Sequence, residues 1–274
     1  MIKALISVNP DLASSLALRF ICRISRLTGM EMQTFHVVEP SESGQTPGTG
    51  WVRRTWEQGL LDTARARIFQ VINAEKTSCP SLGAPKIVVG DRDREIIGEL
   101  ETGRYDLFVE GMLYSFSPSN FNKKIGSALY RNLPCPVILV KNLVGLEQGI
   151  CLLGEGKDDE GIRNAAATFL KIFGDKIKVP VDLLLCDSIG TGREPTSAGM
   201  ETSGAVEKDL DHSPKGVDLK FRRVRAAEGT AAQVAELLRP YGLVITEMSG
   251  AGRGKSHLHE VLSRVVCPLL LFRR

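Results

Sequence analysis

The residues of this chain with types and spacing suited to chemistry cluster before the last apolar run of each half. The clearest is Ser249-Gly250-Ala251-Gly252-Arg253-Gly254-Lys255-Ser256, ahead of a helical stretch. Glycines let backbone N–H groups approach an anion, and a following helix points its positive end at it. A P-loop, however, needs four residues between its first glycine and Gly-Lys-Ser. Gly250 leaves three, and Ser249 occupies the required position. Little chain follows to supply a metal-binding aspartate. The run therefore does not read as an NTPase loop, and two readings stand: a weak anion site, or a glycine loop without a ligand. His36 lies in a strand-like run and reads as a structural histidine. His257 and His259 are two apart on a helical stretch and cannot share a face, which argues against a metal pair. No Cys/His cluster has zinc spacing, and no Ser-His-Asp or Cys-His constellation is recognisable. The six cysteines, Cys22, Cys79, Cys135, Cys151, Cys186 and Cys267, show no CxxC pairing and mostly lie in apolar runs. They read as buried reduced thiols of a cytoplasmic protein.

These residues need elements to position them, and the chain supplies a regular alternation. Ile2 to Val8 is a strand-length apolar run. Asn9-Pro10 then reads as a helix cap and first-turn proline, ahead of a helical face at Leu12, Leu16, Phe20, Ile24 and Leu27 that ends at Gly29. Strands follow at Met32 to Val38, Lys86 to Val89 and Leu107 to Val109. A long helix with Val52, Trp56, Leu60, Ala64, Ile68 and Ile72 on one side separates the first two. Asp91 or Asp93 caps a helix through Leu100 that Gly103 stops. A helix from about Phe121 to Asn132 leads to the strand of Pro134-Cys135-Pro136-Val137-Ile138-Leu139-Val140-Lys141. Strands alternating with helices imply a parallel sheet covered on both faces.

The pattern restarts after Asn142 to Gln148. Strands are expected at Ile150 to Leu153, Val181 to Cys186, Leu219 to Val224 and Leu243 to Ile245. Helices are expected along Ile162 to Phe173, from Gly229-Thr230 through Leu238, and near Leu258 to Val265. The chain closes on Val266-Cys267-Pro268-Leu269-Leu270-Leu271-Phe272-Arg273, a second Cys-Pro strand. The chain therefore reads as a tandem repeat, residues 1–144 and 145–274. Residues 188–216, rich in Gly, Ser, Thr and Glu, stand where the first half has its long helix. They read as a flexible loop with at most a short helix near Ala205 to Leu210. Composition agrees with a globular chain: 43% hydrophobic and 24% charged. A net charge of +3 is too small to imply nucleic acid or an acidic membrane. No window approaches the ~18 apolar residues of a membrane span, and the N-terminus enters a strand without a signal-peptide layout.

At this point the chain resembles the universal stress protein family in its tandem form. The residues that carry the resemblance are Val8-Asn9, Phe35-His36-Val37-Val38-Glu39-Pro40, Gly90-Asp91 with Ile96-Ile97, and Tyr105-Asp106-Leu107-Phe108-Val109-Glu110-Gly111. Arg131 to Val140 is the most telling, and the second half matches more loosely through Gly242 to Glu247 and the last strand. The resemblance implies an α/β fold of two tandem, doubly wound, Rossmann-like parallel five-stranded sheets in the order 3-2-1-4-5. It also implies association through the last strands, so that the halves form a pseudo-dimer. Apolar edges of this kind need cover, from each other or from a second chain in a homodimer.

Family members that bind ATP use a Gly-x2-Gly-x9-Gly-Ser/Thr loop after the fourth strand, with an acidic residue ending the first strand and a backbone contact after the second. Here Gly111 matches the first glycine and Tyr114 stands at the second. Lys123-Lys124 or Lys124-Ile125 falls at the Gly-Ser pair, and Gly126-Ser127 comes two or three residues late. Asn9 occupies the acidic position, and Val37 or Val38 can offer the backbone contact. Two readings stand. In one, the loop is degenerate, Gly126 is packing and the lysines are a solvated face. In the other, Asn9, Val37, Gly111, Lys124, Gly126 and Ser127 hold ATP or AMP weakly in the first half, with lysine charge replacing lost glycine N–H groups. The expectation is thus a cytoplasmic, non-enzymatic stress-response protein with weak adenine-nucleotide binding. The competing expectation is an interaction module for a protein partner, without nucleotide. Neither nucleic acid nor a membrane is expected as a partner.

Overall fold

The structure, a computed structural model, describes residues 1–40, 50–112, 118–155, 159–186, 206–209, 219–248 and 257–273. It divides into two compact units, Met1–Leu113 with Ile125–Leu143, and Tyr114–Lys124 with Val144–Arg274.

In the first unit the elements are β1 (Lys3–Ser7), α1 (Leu12–Thr28), β2 (Glu31–Val38), α2 (Trp51–Lys76), β3 (Lys86–Val89), α3 (Arg92–Gly103), β4 (Leu107–Gly111), α5 (Ala128–Arg131) and β5 (Val137–Val140). Helix α4 (Pro118–Ile125) precedes α5 in the chain. The strands are parallel and ordered β3-β2-β1-β4-β5, the expected 3-2-1-4-5. Helices α1 and α2 cover one face, and α3 packs with α5. The strand runs are apolar on both faces because both are covered; Leu5, Ile6, Phe108 and Val109 are fully buried.

In the second unit the elements are β6 (Ile150–Glu155), α6 (Asp159–Phe173), β7 (Val181–Cys186), β8 (Val206–Asp209), β9 (Arg223–Glu228), α7 (Ala231–Leu238), β10 (Leu243–Glu247), α8 (His257–Arg264) and β11 (Leu269–Phe272). The order β9-β7-β6-β10-β11 repeats that of the first unit, with β8 added antiparallel beside β9.

Several local expectations are corrected. The cap of α1 is Asp11, which accepts from the Ser14 N–H at 2.8 Å, so Asn9 and Pro10 precede the helix. Asp91 caps α3, but the left-handed residue that ends it is Arg104 at φ 50°, one after Gly103. The single helix expected from Phe121 is two, broken at Gly126-Ser127, where the Ser127 hydroxyl caps α5. The strand expected at Leu219 to Val224 lies at Arg223–Glu228. Where a short helix was expected, Val206–Asp209 is the strand β8; the rest of 188–216 lies outside the described residues. The six-thiol reading also fails: Cys22 and Cys79 are disulfide-bonded, and Cys135, Cys151, Cys186 and Cys267 remain thiols.

The stripe on α2 is only half buried. Residues spaced strictly by four advance 400° per step and so drift 40° per turn around a helix. Ala64, Ile68 and Ile72 are buried, whereas Val52 is exposed and Trp56 and Leu60 are half-buried.

Candidate functional site

In an open parallel sheet, ligands bind at the carboxyl ends of strands where the order reverses. That point lies between β1 and β4 in the first unit and between β6 and β10 in the second.

In the first unit, β1 runs out through Val8 to Asn9. The Val8 N–H donates to the Phe35 carbonyl at 2.9 Å, and the Asn9 N–H donates to Ser14 Oγ at 2.7 Å. His36 on β2 joins this end. Its Nδ1–H donates to the Val8 carbonyl at 2.8 Å, because a carbonyl can only accept. Burial lowers the His36 pKa, a change only partly opposed by that hydrogen bond. The ring is therefore neutral at pH 7, with the proton on Nδ1 and an acceptor lone pair on Nε2. Sequence reasoning treated His36 as structural; its place on the strand was legible, its tie to the end of β1 was not.

Gly111 ends β4, paired with Val140. A Cβ there would collide with the carbonyl of Ala13 in the first turn of α1. This glycine is therefore required by close packing of α1 on the sheet, whatever else it does. Beside it Glu110 is buried, and its charge is answered inside the fold. Arg92 Nη2 donates to Oε1 at 2.5 Å, and the Tyr130 hydroxyl donates to Oε2. Asp93, also in reach of Arg92 at 3.5 Å, accepts the Leu129 N–H at 3.1 Å. Burial, reinforced by the Glu110 charge, pushes the Tyr130 pKa well up, so the hydroxyl stays a donor. Glu110, Arg92 and Tyr130 were not among the candidate site residues. Charged and phenolic residues in ordinary helices and strands carry no spacing that marks them as partners.

The structure thus sets Asn9, Val37 and Gly111 at or just beyond the carboxyl ends of β1, β2 and β4. Ser127 is committed to the start of α5, accepting the Tyr130 N–H at 3.5 Å, and Gly126 is an exposed turn residue. Lys123 is exposed and Lys124 half-buried on α4; both group with the second unit. Tyr114 lies outside the described residues, as does the run Ser249 to Ser256.

In the second unit, pairing registers supply the correspondence. Ala4 pairs with Leu107 as Ile150 pairs with Leu243, so Glu155 stands where Asn9 stands, and Glu247 where Gly111 stands. His259 on α8 feels both Glu155 and Arg273; burial lowers its pKa, with Glu155 opposing and Arg273 adding to the change. A cavity of about 380 Å³ is lined by Glu160, Asn164, Ala167 and Thr168 of α6 with Phe272 and Arg273. No group of three side chains with metal-ligand chemistry comes together among the described residues. No helix among them is long and apolar enough to cross a membrane.

A doubly wound unit with its crevice at a switch point, present twice in one chain, defines the class of protein. Comparison with solved structures makes that specific at the level of fold. A universal stress protein from Archaeoglobus fulgidus matches with 13% identity and TM-score 0.60, covering 99% of this chain and 96% of its own. A Pseudomonas aeruginosa protein of unknown function matches with 14% identity and TM-score 0.54, covering 99% and 92%. The chain has the universal stress protein fold along its whole length. A half-length neighbour, a universal stress protein family protein from Arabidopsis thaliana with AMP bound, matches at 18% identity and TM-score 0.35, too slight a likeness to argue from. No protein-family model and no curated protein matches the sequence.

Proposed function

We propose that this chain is a non-enzymatic, cytoplasmic stress-response protein whose first unit binds an adenine nucleotide, ATP or AMP, weakly. The site is the crevice at the ends of β1, β2 and β4, with Asn9 and the backbone of Val37 toward the nucleoside and Gly111 beside it. One observation carries this reading. The carboxylate at the crevice, Glu110, is buried, has its charge balanced by Arg92 and accepts a hydrogen bond from Tyr130, so its repulsion of an anion is reduced. The second unit, with Glu155 and Glu247 at the corresponding strand ends, serves structure or interaction in this reading. Weak affinity follows from Gly111 and Ser127, whose special features are already used by α1 and α5. Equilibrium dialysis of the full chain against labelled ATP and AMP tests the reading: saturable binding supports it, and none at millimolar ligand overturns it.

The second reading is an interaction module without nucleotide. It is favoured by β8, a short strand added at the margin of the sheet beside β9, because an edge strand presents unpaired backbone groups to another chain. Deleting 188–216 would then abolish capture of the partner while the circular dichroism of the chain persists; unchanged capture would remove this reading. Association of the two halves, or of two chains, through the Cys-Pro strands is part of the same proposal and rests on the apolar character of those strands. Separately expressed 1–144 and 145–274 should co-elute, and independent elution would refute it.

A further inference from the structure

Helix α2 is 26 residues long, yet its buried residues are Ala64, Ile68, Ile72 and Glu75, all in its C-terminal half. Its first residue, Trp51, is 77% exposed. The helix is therefore anchored at one end, and three ties converge there. The buried Glu75 carboxylate accepts from Arg19 Nε at 2.7 Å and Nη2 at 3.0 Å. Arg26 donates to the Ser78 carbonyl. Cys22 of α1 is bonded to Cys79, three residues past the end of α2, with Cα atoms 5.7 Å apart and both residues 2% exposed. The backbone folds back over this point, Cys79 N–H donating to the Glu75 carbonyl at 2.9 Å and Leu82 N–H to the Cys79 carbonyl at 3.2 Å. The next element is β3, a four-residue strand at the end of the sheet order with no fully buried residue.

We propose that the Cys22–Cys79 disulfide is a redox clasp that holds the C-terminal end of α2 and the 77–85 segment onto α1. In the oxidised chain the clasp fixes the approach to β3. In the reduced chain that end of α2, the segment and β3 open locally, while the β1-β4-β5 core stays closed. The chemistry is thiol–disulfide exchange with a dithiol reductant. One reductant thiolate attacks a cysteine sulfur and the other cysteine leaves as thiolate; the second reductant thiol then resolves the mixed disulfide. Two electrons and two protons pass to the protein, giving two cysteine thiols and an oxidised reductant. Because both sulfurs are buried, exchange waits on local opening of the helix end, next to a four-residue β3 that has no fully buried residue to hold it.

Hydrogen exchange followed by mass spectrometry, on the full chain with and without dithiothreitol, tests this. The same measurement on a Cys22→Ala/Cys79→Ala variant separates the clasp from general effects of reductant. On reduction, amides from 64 to 89 should exchange at least about tenfold faster, with β4 and β10 unchanged. The variant should match the reduced chain and ignore dithiothreitol. Equal exchange in the oxidised and reduced wild type would overturn the proposal. So would alkylation of all six cysteines after denaturing the air-oxidised chain without reductant. Should the variant fail to fold, the wild-type comparison alone still decides.

Discussion

Gly111 illustrates how a packing demand can by itself require a glycine where the family's loop would also place one. The Ala13 carbonyl occupies the space a side chain would need. Gly111→Ala should therefore lower stability by about 1–3 kcal/mol in urea unfolding, with or without nucleotide. An unchanged midpoint would assign the glycine to a ligand alone. His36 gives a pH dependence whose sign follows from burial. Its pKa is lowered in the fold, so the neutral ring is favoured there. Its contribution is fully present above the unfolded value of about 6.5 and is lost as pH falls below it. Between about pH 7.5 and about pH 5.5, wild type should lose more stability than His36→Gln, measured by urea midpoints; equal losses would contradict this. Arg104 sits in the left-handed region at φ 50°. Arg104→Gly should relieve about 1 kcal/mol of backbone cost, seen as a raised midpoint.

At the scale of elements, α2 shows why a correct helix can have the wrong face. The stripe from Val52 to Ile72 was legible as a helix, but its i,i+4 spacing turns it off the sheet over its first half. Ile68→Ala should cost about 2–5 kcal/mol, whereas Val52→Ala should stay within about 0.5 kcal/mol. Comparable costs in thermal or urea unfolding would refute the anchoring at one end. Other misses have similarly local causes. β9 reads Arg-Val-Arg-Ala-Ala-Glu, and the large apolar residues Leu219, Phe221 and Val224 drew the expected strand four residues early. The helix break at Gly126-Ser127 was hidden because a serine cap and a helix-interior serine look alike in sequence. The disulfide could not be read at all, since 57 residues separate its cysteines and only the packing of α1 against α2 brings them together. By the chain-entropy estimate a loop of that size is worth about 4 kcal/mol.

For the whole molecule, the repeat and the strand order were the legible part. Two Cys-Pro strands mark the repeat, and the strand order, one of the few that right-handed crossovers leave open, was implied by the resemblance to the universal stress protein family. The site was less legible. Asn9, Val37 and Gly111 were singled out through the family resemblance, but the pairing of Glu110 with Arg92 and Tyr130 appears only in three dimensions. So does the correspondence of Glu155 with Asn9, which depends on pairing register rather than sequence likeness. The central claim is that the neutralised crevice of the first unit accepts an adenine nucleotide. Equilibrium dialysis of labelled AMP and ATP against the full chain and against Arg92→Met tests it most directly. The account predicts saturable binding tighter than about 1 mM, about −4 kcal/mol, weakened in the variant, where Glu110 loses its cationic partner. Absence of saturable binding at millimolar nucleotide in the wild type would contradict it.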